Sequence, residues 1–344
     1  MTYPRRTILA ALASCLSACV APQAKPPPRS GFDTARLLSG FPALAQRAHP
    51  GLLAVGVRSL PDGLTWMGNA VAPLPLQSVF KAPLAAACLD RVDQGRMRLN
   101  TTVRVPITDL SPPGSPINEA FNGPEPPAHL TLRIADLIAL MVQRSDNTAA
   151  DTMLELIGGP DALNAWLASH QISGMRIDRS ERVLQQDIAG MPPFRSEWRT
   201  ENAWHAARDS VPAADRESAM RAYLADVRDT TTIGAALDFL TRLDQGALLS
   251  ATSTTLLLRL MTNSTTGTGR LLAGLPRGTR LAHKTGTAST DLGLTPATND
   301  IGIATLPNGR RFAVAAFLVG STATASERDQ LIADSAALIA TAFG

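Results

Sequence analysis

The sequence predicts a protein of mixed α/β (α+β) class. Its mostly antiparallel sheet is built from both chain ends and flanked by helices, with an all-helical lobe inserted between the halves. Three features carry that expectation. β-prone runs stand at 52–69 and again at 279–319, and the stretch between them reads mainly as helix. An apolar share of 45% suits a globular core, while an aromatic share of only 4% makes it a core of alanine and leucine. No segment repeats elsewhere in the chain, so the halves are not copies of one unit.

Taken in order, the chain opens on what reads as an export signal. Arg5 and Arg6 precede an apolar run from Ile8 to Leu16, too short to span a bilayer as a stable helix, and small residues lead to Cys19. Leu16-Ser17-Ala18-Cys19 resembles a bacterial lipoprotein cleavage box, which implies removal of residues 1–18 and lipidation of Cys19. Simple secretion is the alternative, and Arg5-Arg6 also resembles a twin-arginine signal. Residues 19–31 form a proline-rich tether with no core-forming side chains, leaving 32–344 as the folded domain. The chain is expected in the periplasm, held to a bacterial membrane only by its lipid.

A helix over 33–48 leads into a strand from Leu52 to Val57, and Pro61-Asp62-Gly63 turns it back along Thr65–Asn69. The helical lobe, about 78–262, begins at Gln77-Ser78-Val79-Phe80-Lys81-Ala82-Pro83. Proline is tolerated in the first turn of a helix, where no amide hydrogen is missed, so Pro83 places Ser78 at a helix start. Ser78 and Lys81, three residues apart, then share one face. An amide-rich helix start favours a developing oxyanion, and a hydroxyl there with an amine beside it is a candidate nucleophile. Alone, this pair also fits a helix cap followed by a surface lysine. Residues 104–129 read as irregular, 131–143 as a helix, and Asn147–Ile157 and Pro160–His170 as two more. The polar stretch 186–225 reads as helical only near Ala213–Leu224, and helices follow over 232–243 and 251–262. Strands at Thr279–Thr287, Ile301–Leu306 and Phe312–Val319 complete the sheet, with Asn308-Gly309 as the last hairpin turn, before a closing helix over Ala325–Ala342.

Composition excludes several classes. A net charge of +3 with scattered arginines does not make a nucleic-acid surface, and the five histidines show no metal-binding spacing, so neither metal nor cofactor is expected. Cys15 leaves with the signal and Cys19 takes lipid, so Cys88 is expected to be a lone, buried packing residue without a disulfide. Only Lys25, Lys81 and Lys284 are lysines, in a chain that otherwise uses arginine. Lysine can lose its proton when buried and arginine effectively cannot, which marks Lys81 and Lys284 as chemical candidates.

Two further motifs stand where the first would need them. Ser145-Asp146-Asn147 falls between two helices, where side chains can point into a cleft. Lys284-Thr285-Gly286-Thr287 lies on a strand, and Gly286 would let a substrate backbone approach closely. Singly these fit a helix cap and ordinary strand residues. Together, S-x-x-K, S-D-N and K-T-G are the signature of class A β-lactamases and penicillin-binding proteins. The chain resembles that serine family over about 33–342. Leu130-Thr131-Leu132, Asp178-Arg179-Ser180-Glu181, Arg228-Asp229-Thr230-Thr231-Thr232, Thr266 to Arg270 and Thr298-Asn299-Asp300 look like class A in particular. The second and third of these match the two ends of its Ω loop, here the region 178–229.

The resemblance implies a monomeric hydrolase acting on penicillins and cephalosporins. Ser78 would attack the lactam carbonyl, with the amides of Ser78 and Thr287 as oxyanion hole. Lys81, or Glu181 through water, would take the serine proton, and Ser145 would relay a proton to the leaving nitrogen. Glu181 would activate the water that hydrolyses the acyl-enzyme; a solvated surface carboxylate is its bland reading. Lys284, Thr285, Thr287 and Arg270 would hold the substrate carboxylate, Asn147 the side-chain amide, and the Arg179–Asp229 pair the base of the loop. Three departures stand out. Gln185 replaces the usual asparagine that helps hold the water. Leu110 replaces an aromatic residue at the cleft mouth. Between Gln185 and Asp229 lie 43 residues, including Trp198 and Trp204, where the family has far fewer. A peptidoglycan carboxypeptidase, or a lipid-anchored sensor that acylates without turnover, shares the acylation chemistry. Glu181 and the Arg179–Asp229 pair weigh against the first; the insertion and Gln185 keep the second open. His283 should point away from the cleft.

Overall fold

A five-stranded antiparallel sheet with both faces covered organises the molecule. The computed structural model describes residues 31–70 and 73–344. The signal segment, the cleavage box with Cys19 and nearly all of the tether lie outside those residues. Helix α1 (Thr34–Arg47) starts where Asp33 accepts a hydrogen bond from the Arg36 amide, and it leads into the hairpin β1 (Leu52–Ser59) and β2 (Thr65–Gly68). A short strand β3 (Leu74–Pro75) and a 3₁₀ turn (Gln77–Phe80) precede α2 (Lys81–Asp93), so Ser78 stands one turn before Lys81. The lobe continues through β4 (Thr102–Pro106), α3 (Pro116–Glu119), β5 (His129–Arg133), α4 (Ile134–Gln143), α5 (Asn147–Leu156), α6 (Gly159–Ser169) and α7 (Glu181–Ile188). It ends with α8 (Glu201–Asp209), α9 (Ala213–Ala225), β6 (Thr230–Thr231), α10 (Ile233–Asp244) and α11 (Ala251–Thr262). After α12 (Leu271–Gly274), the chain returns to the sheet as β7 (Arg280–Thr287), β8 (Thr295–Thr305) and β9 (Arg311–Ser321), then closes with α13 (Ala325–Phe343).

The strand order β2-β1-β9-β8-β7 joins the two chain ends, with β1 against β9. Period-two alternation splits each strand between two cores. Ala313, Ala315 and Phe317 face the helical lobe, while Phe312, Val314, Ala316 and Leu318 face the layer of α1 and α13. Burial on both faces explains the near-continuous apolar runs. Small side chains let the helices approach. A Cβ on Gly56 would lie 2.2 Å from Ile233 of α10, so that packing requires glycine. At the centre of the lobe, α2 buries every residue from Lys81 to Leu89, Cys88 among them, and burial pushes the Cys88 thiol up to about 12.

Three expectations are corrected. Residues 131–133 belong to β5, not to a helix, because Leu130 and Leu132 pair across from Val105 and Val103. That hairpin also gives order to part of 104–129. The stretch 186–225 holds more helix than its polarity suggested. Ser180 caps α7 through the Val183 amide and Thr200 caps α8 through the Ala203 amide, so side-chain caps start helices that bury only narrow apolar stripes. Ala189, Met191 and Trp204 form a small core of their own, flanked by Phe194 and Trp198. Leu110 is fully buried in the lobe's core and so is not a residue of the cleft mouth.

Candidate active site

The nucleophile candidate occupies the seam between lobe and sheet. Ser78 is half-buried, and its Oγ accepts a hydrogen bond from Lys81 Nζ at 2.8 Å and donates one to Glu181 Oε1 at 3.0 Å. Lys81 has no exposed surface, so its charge needs close partners. Its three N–H donors face five oxygens: Ser78 Oγ, the Ser145 carbonyl at 2.7 Å, Ser145 Oγ at 3.5 Å, Asn147 Oδ1 at 2.6 Å and Glu181 Oε1 at 2.8 Å. Burial works to raise the Glu181 carboxyl, but the Lys81 charge and hydrogen bonds from Lys81, Gln185 and Ser78 outweigh it and hold the group below its ordinary value. Glu181 is therefore an anion positioned to accept a proton.

Local structure aims each of these groups. Ser145 sits between α4 and α5 with a left-handed φ of 58°, and Asp146 caps α5 through the Ala149 amide at 2.8 Å. Lys284 is also fully buried. It donates to Ser145 Oγ and to the Thr285 carbonyl, each at 2.9 Å, so Ser145 bridges the two lysines. Burial and then the nearby Lys81 charge push the Lys284 ammonium well below its usual range.

Along β7, alternate residues serve different sides. Thr285 Oγ1 lies 2.7 Å from Thr266 Oγ1, and exposed Thr287 accepts from Arg270 Nη2 at 2.8 Å. Gly286 serves the protein's own packing, where the sequence suggested substrate approach. A Cβ there would lie 2.5 Å from the Leu76 carbonyl and 3.1 Å from Gln77 Cβ. Asn299 secures the same contact by donating to the carbonyls of Pro75 and Leu76. Arg270 also departs from expectation. Its guanidinium pairs with Asp329 at 2.7 Å and donates to the carbonyls of Gly286 and Asn299 as well as to Thr287. With four of five donors engaged, it acts through Thr287. His283 lies on the face of β7 opposite Lys284 and Gly286 and bonds Asp300 at 2.9 Å.

The Ω region is tied at its base. Asp229, itself at φ 53°, accepts from the Asp178 and Arg179 amides through Oδ1 and from Arg179 Nε through Oδ2 at 2.5 Å. Gln185 Nε2 donates to Glu181 Oε2 at 2.9 Å. Three participants escaped sequence reasoning. Asp151 accepts from the amides of Glu181 at 2.6 Å and Arg182 at 2.9 Å and from Ser111 Oγ at 2.6 Å, fixing the start of α7. Burial pushes its carboxyl up to about 6, with the Glu181 charge adding to the rise and those hydrogen bonds opposing it. Its place four residues after Asn147, on the same helix face, was the available signal. Gln77 and Tyr223, hydrogen-bonded at 2.6 Å, gave none.

A buried lysine between a serine and a carboxylate, on a sheet with an inserted helical lobe, defines a serine acyl-transfer enzyme. The chain belongs to the beta-lactamase enzyme family, whose model matches residues 41–343. It is 34% identical to the extended-spectrum beta-lactamase PER-1 of Pseudomonas aeruginosa over 266 residues, 77% of this chain and 74% of that protein. It is 31% identical to beta-lactamase VEB-1 of the same species, over 76% of this chain and 75% of that one. Among solved structures, a beta-lactamase from Chitinophaga pinensis superposes with a TM-score of 0.73 at 29% identity, covering 89% of this chain and 99% of that one. An ancestral class A beta-lactamase does so with a TM-score of 0.68 at 32% identity, over 88% and 97%. The protein is thus a class A serine β-lactamase, a hydrolase of cyclic amides.

Arg179 and Asp229 are both nearly inaccessible, so removing the Asp229 charge leaves the buried guanidinium with only the more exposed Asp187 at 3.0 Å and Asp226 at 3.4 Å. Asp229→Asn is expected to lose about 3 kcal/mol in urea denaturation. A loss below about 1 kcal/mol, typical of an exposed pair, would contradict this role.

Proposed function

We propose that this enzyme opens β-lactams through an ester on Ser78 and regenerates itself with a water activated by Glu181. The observation that carries the reading is the single Glu181 oxygen lying within 3.0 Å of both Ser78 Oγ and Lys81 Nζ. The Ser78 proton passes to Glu181, or to Lys81 when neutral, as Oγ attacks the lactam carbonyl. The amides of Ser78 and Thr287 stabilise the oxyanion. The C–N bond then breaks as Ser145 gives its proton to the nitrogen, and the Lys81 ammonium replaces that proton. Glu181, where it took the serine proton, passes it on to Lys81 at 2.8 Å and is a carboxylate again. In the second half, Glu181 takes a proton from water as the water oxygen attacks the ester, and Ser78 Oγ leaves as a hydroxyl with that proton returned from Glu181, 3.0 Å away. Lys284 and Thr287 hold the substrate carboxylate, Thr285 and Arg270 keep that strand edge in place, and Asn147 Nδ2 faces the substrate amide.

With a chromogenic cephalosporin, the unmodified protein from residue 31 onward is expected to turn over steadily. Glu181→Gln should give a stoichiometric burst followed by turnover reduced about 10²–10⁴-fold. A burst already present in the unmodified protein would instead mark a sensor that acylates once.

The periplasmic lipid anchor at Cys19 rests on the signal-like segment and its cleavage box. Full-length chain expressed in a bacterial host with a clickable fatty acid should carry label that Cys19→Ser abolishes. An unlabelled full-length chain would refute the anchor.

A further inference from the structure

The long inserted segment reaches the catalytic centre through one side chain. Tyr223, on α9, is one of only two tyrosines in the chain and is almost fully buried. Its ring packs on Leu184 and Ile188 of α7, with the Arg179 guanidinium 5.9 Å from its centroid. Its hydroxyl oxygen accepts a hydrogen bond from Gln77 Nε2 at 2.6 Å. Gln77 immediately precedes Ser78, is buried, and holds a left-handed φ of 47°, a conformation that persists in a non-glycine residue only when its surroundings impose it. Gln77 Oε1 in turn accepts from Gln185 Nε2 at 3.4 Å, and the same Nε2 donates to Glu181 Oε2 at 2.9 Å.

Charge sets the polarity of this chain of bonds. The Glu181 anion requires an N–H from Gln185, since a carbonyl turned toward it would be repelled. The remaining hydrogen of that amide needs an acceptor, which is Gln77 Oε1. Gln77 must then turn its NH₂ group toward an oxygen, and Tyr223 supplies it. Flipping either amide would set donor against donor or carbonyl against carboxylate. Burial raises the Tyr223 phenol above its ordinary value, so the group stays neutral and does not add a second anion beside Glu181.

We propose that Tyr223 is a positioning residue for the deacylating base, acting through Gln77 and Gln185 on Glu181. This inference rests on the reading of Glu181 given above. The inserted segment then contributes to turnover without touching substrate, and it compensates for the longer side chain of Gln185.

The test compares Tyr223→Phe, which keeps the ring and removes only the hydroxyl, with Glu181→Gln and the unmodified protein. Burst and steady-state phases with a chromogenic cephalosporin separate acylation from deacylation. Tyr223→Phe is expected to lower steady turnover about tenfold, with the burst rate within about twofold of the unmodified protein. The acid limb of its turnover should also move to higher pH, because the carboxylate loses an oriented donor. In the double variant Gln77→Leu, Tyr223→Phe, turnover should fall no further than in Gln77→Leu alone. If Glu181→Gln fails to accumulate acyl-enzyme, the reading of Glu181 itself falls. If Glu181→Gln accumulates it but Tyr223→Phe turns over normally, only the Tyr223 inference is overturned. The same holds if Tyr223→Phe loses both phases equally with an unmoved acid limb.

Discussion

The ammonium of Lys81 is the constraint on which the rest depends. A fully buried charge is costly unless oxygens surround it closely, and here they come from four residues in three separate stretches of the chain. Ser78 stands one turn ahead on the same helical segment, Ser145 between α4 and α5, Asn147 at the start of α5, and Glu181 at the start of α7. Satisfying one cation therefore fixes the relative placement of the proposed nucleophile, proton relay and base. Lys284 repeats the device from the sheet side through Ser145, so lobe and sheet meet at a serine between two buried amines. The two like charges oppose one another, which is part of why Lys284 holds its proton weakly.

The unusual length of the Ω region does not disturb this arrangement, because length and anchoring are separate matters. Loop-closure entropy grows only slowly with length, so a long insertion is tolerated if its ends are held. Asp229 holds both ends with three hydrogen bonds from Asp178 and Arg179. Between them, the segment carries its own small core around Trp204 and attaches at two more points. Arg199 donates to the Phe121 carbonyl, and Arg216 pairs with Asp291 in the turn after β7. The insertion thus spans from lobe to sheet edge, and it sends Tyr223 inward beside Glu181.

Much of this was legible in the sequence, for identifiable reasons. Ser78–Lys81, Ser145–Asn147 and Lys284–Thr287 are short contiguous motifs, each carried by one element whose periodicity is readable. The sheet from both chain ends was legible because β1 and β9 are long apolar runs bounded by turns. The failures share a cause, namely dependence on partners far away in sequence. Thr131–Arg133 looked helical until paired with Thr102–Arg104, and Arg270 looked free until Asp329, 59 residues on, took its guanidinium. Leu110 was read at the cleft mouth, but the lobe's core claims it. Gln77 and Tyr223 lie 146 residues apart, and no local pattern links them.

The central claim is that this buried cluster makes Ser78 form an ester that does not last. Time-resolved intact-mass measurement after mixing with a penicillin tests it most directly. The account predicts a transient adduct carrying the whole penicillin mass, confined to the peptide containing Ser78 and decaying to unmodified protein. An adduct on another residue, one that persists, or product formation that survives Ser78→Ala would contradict it.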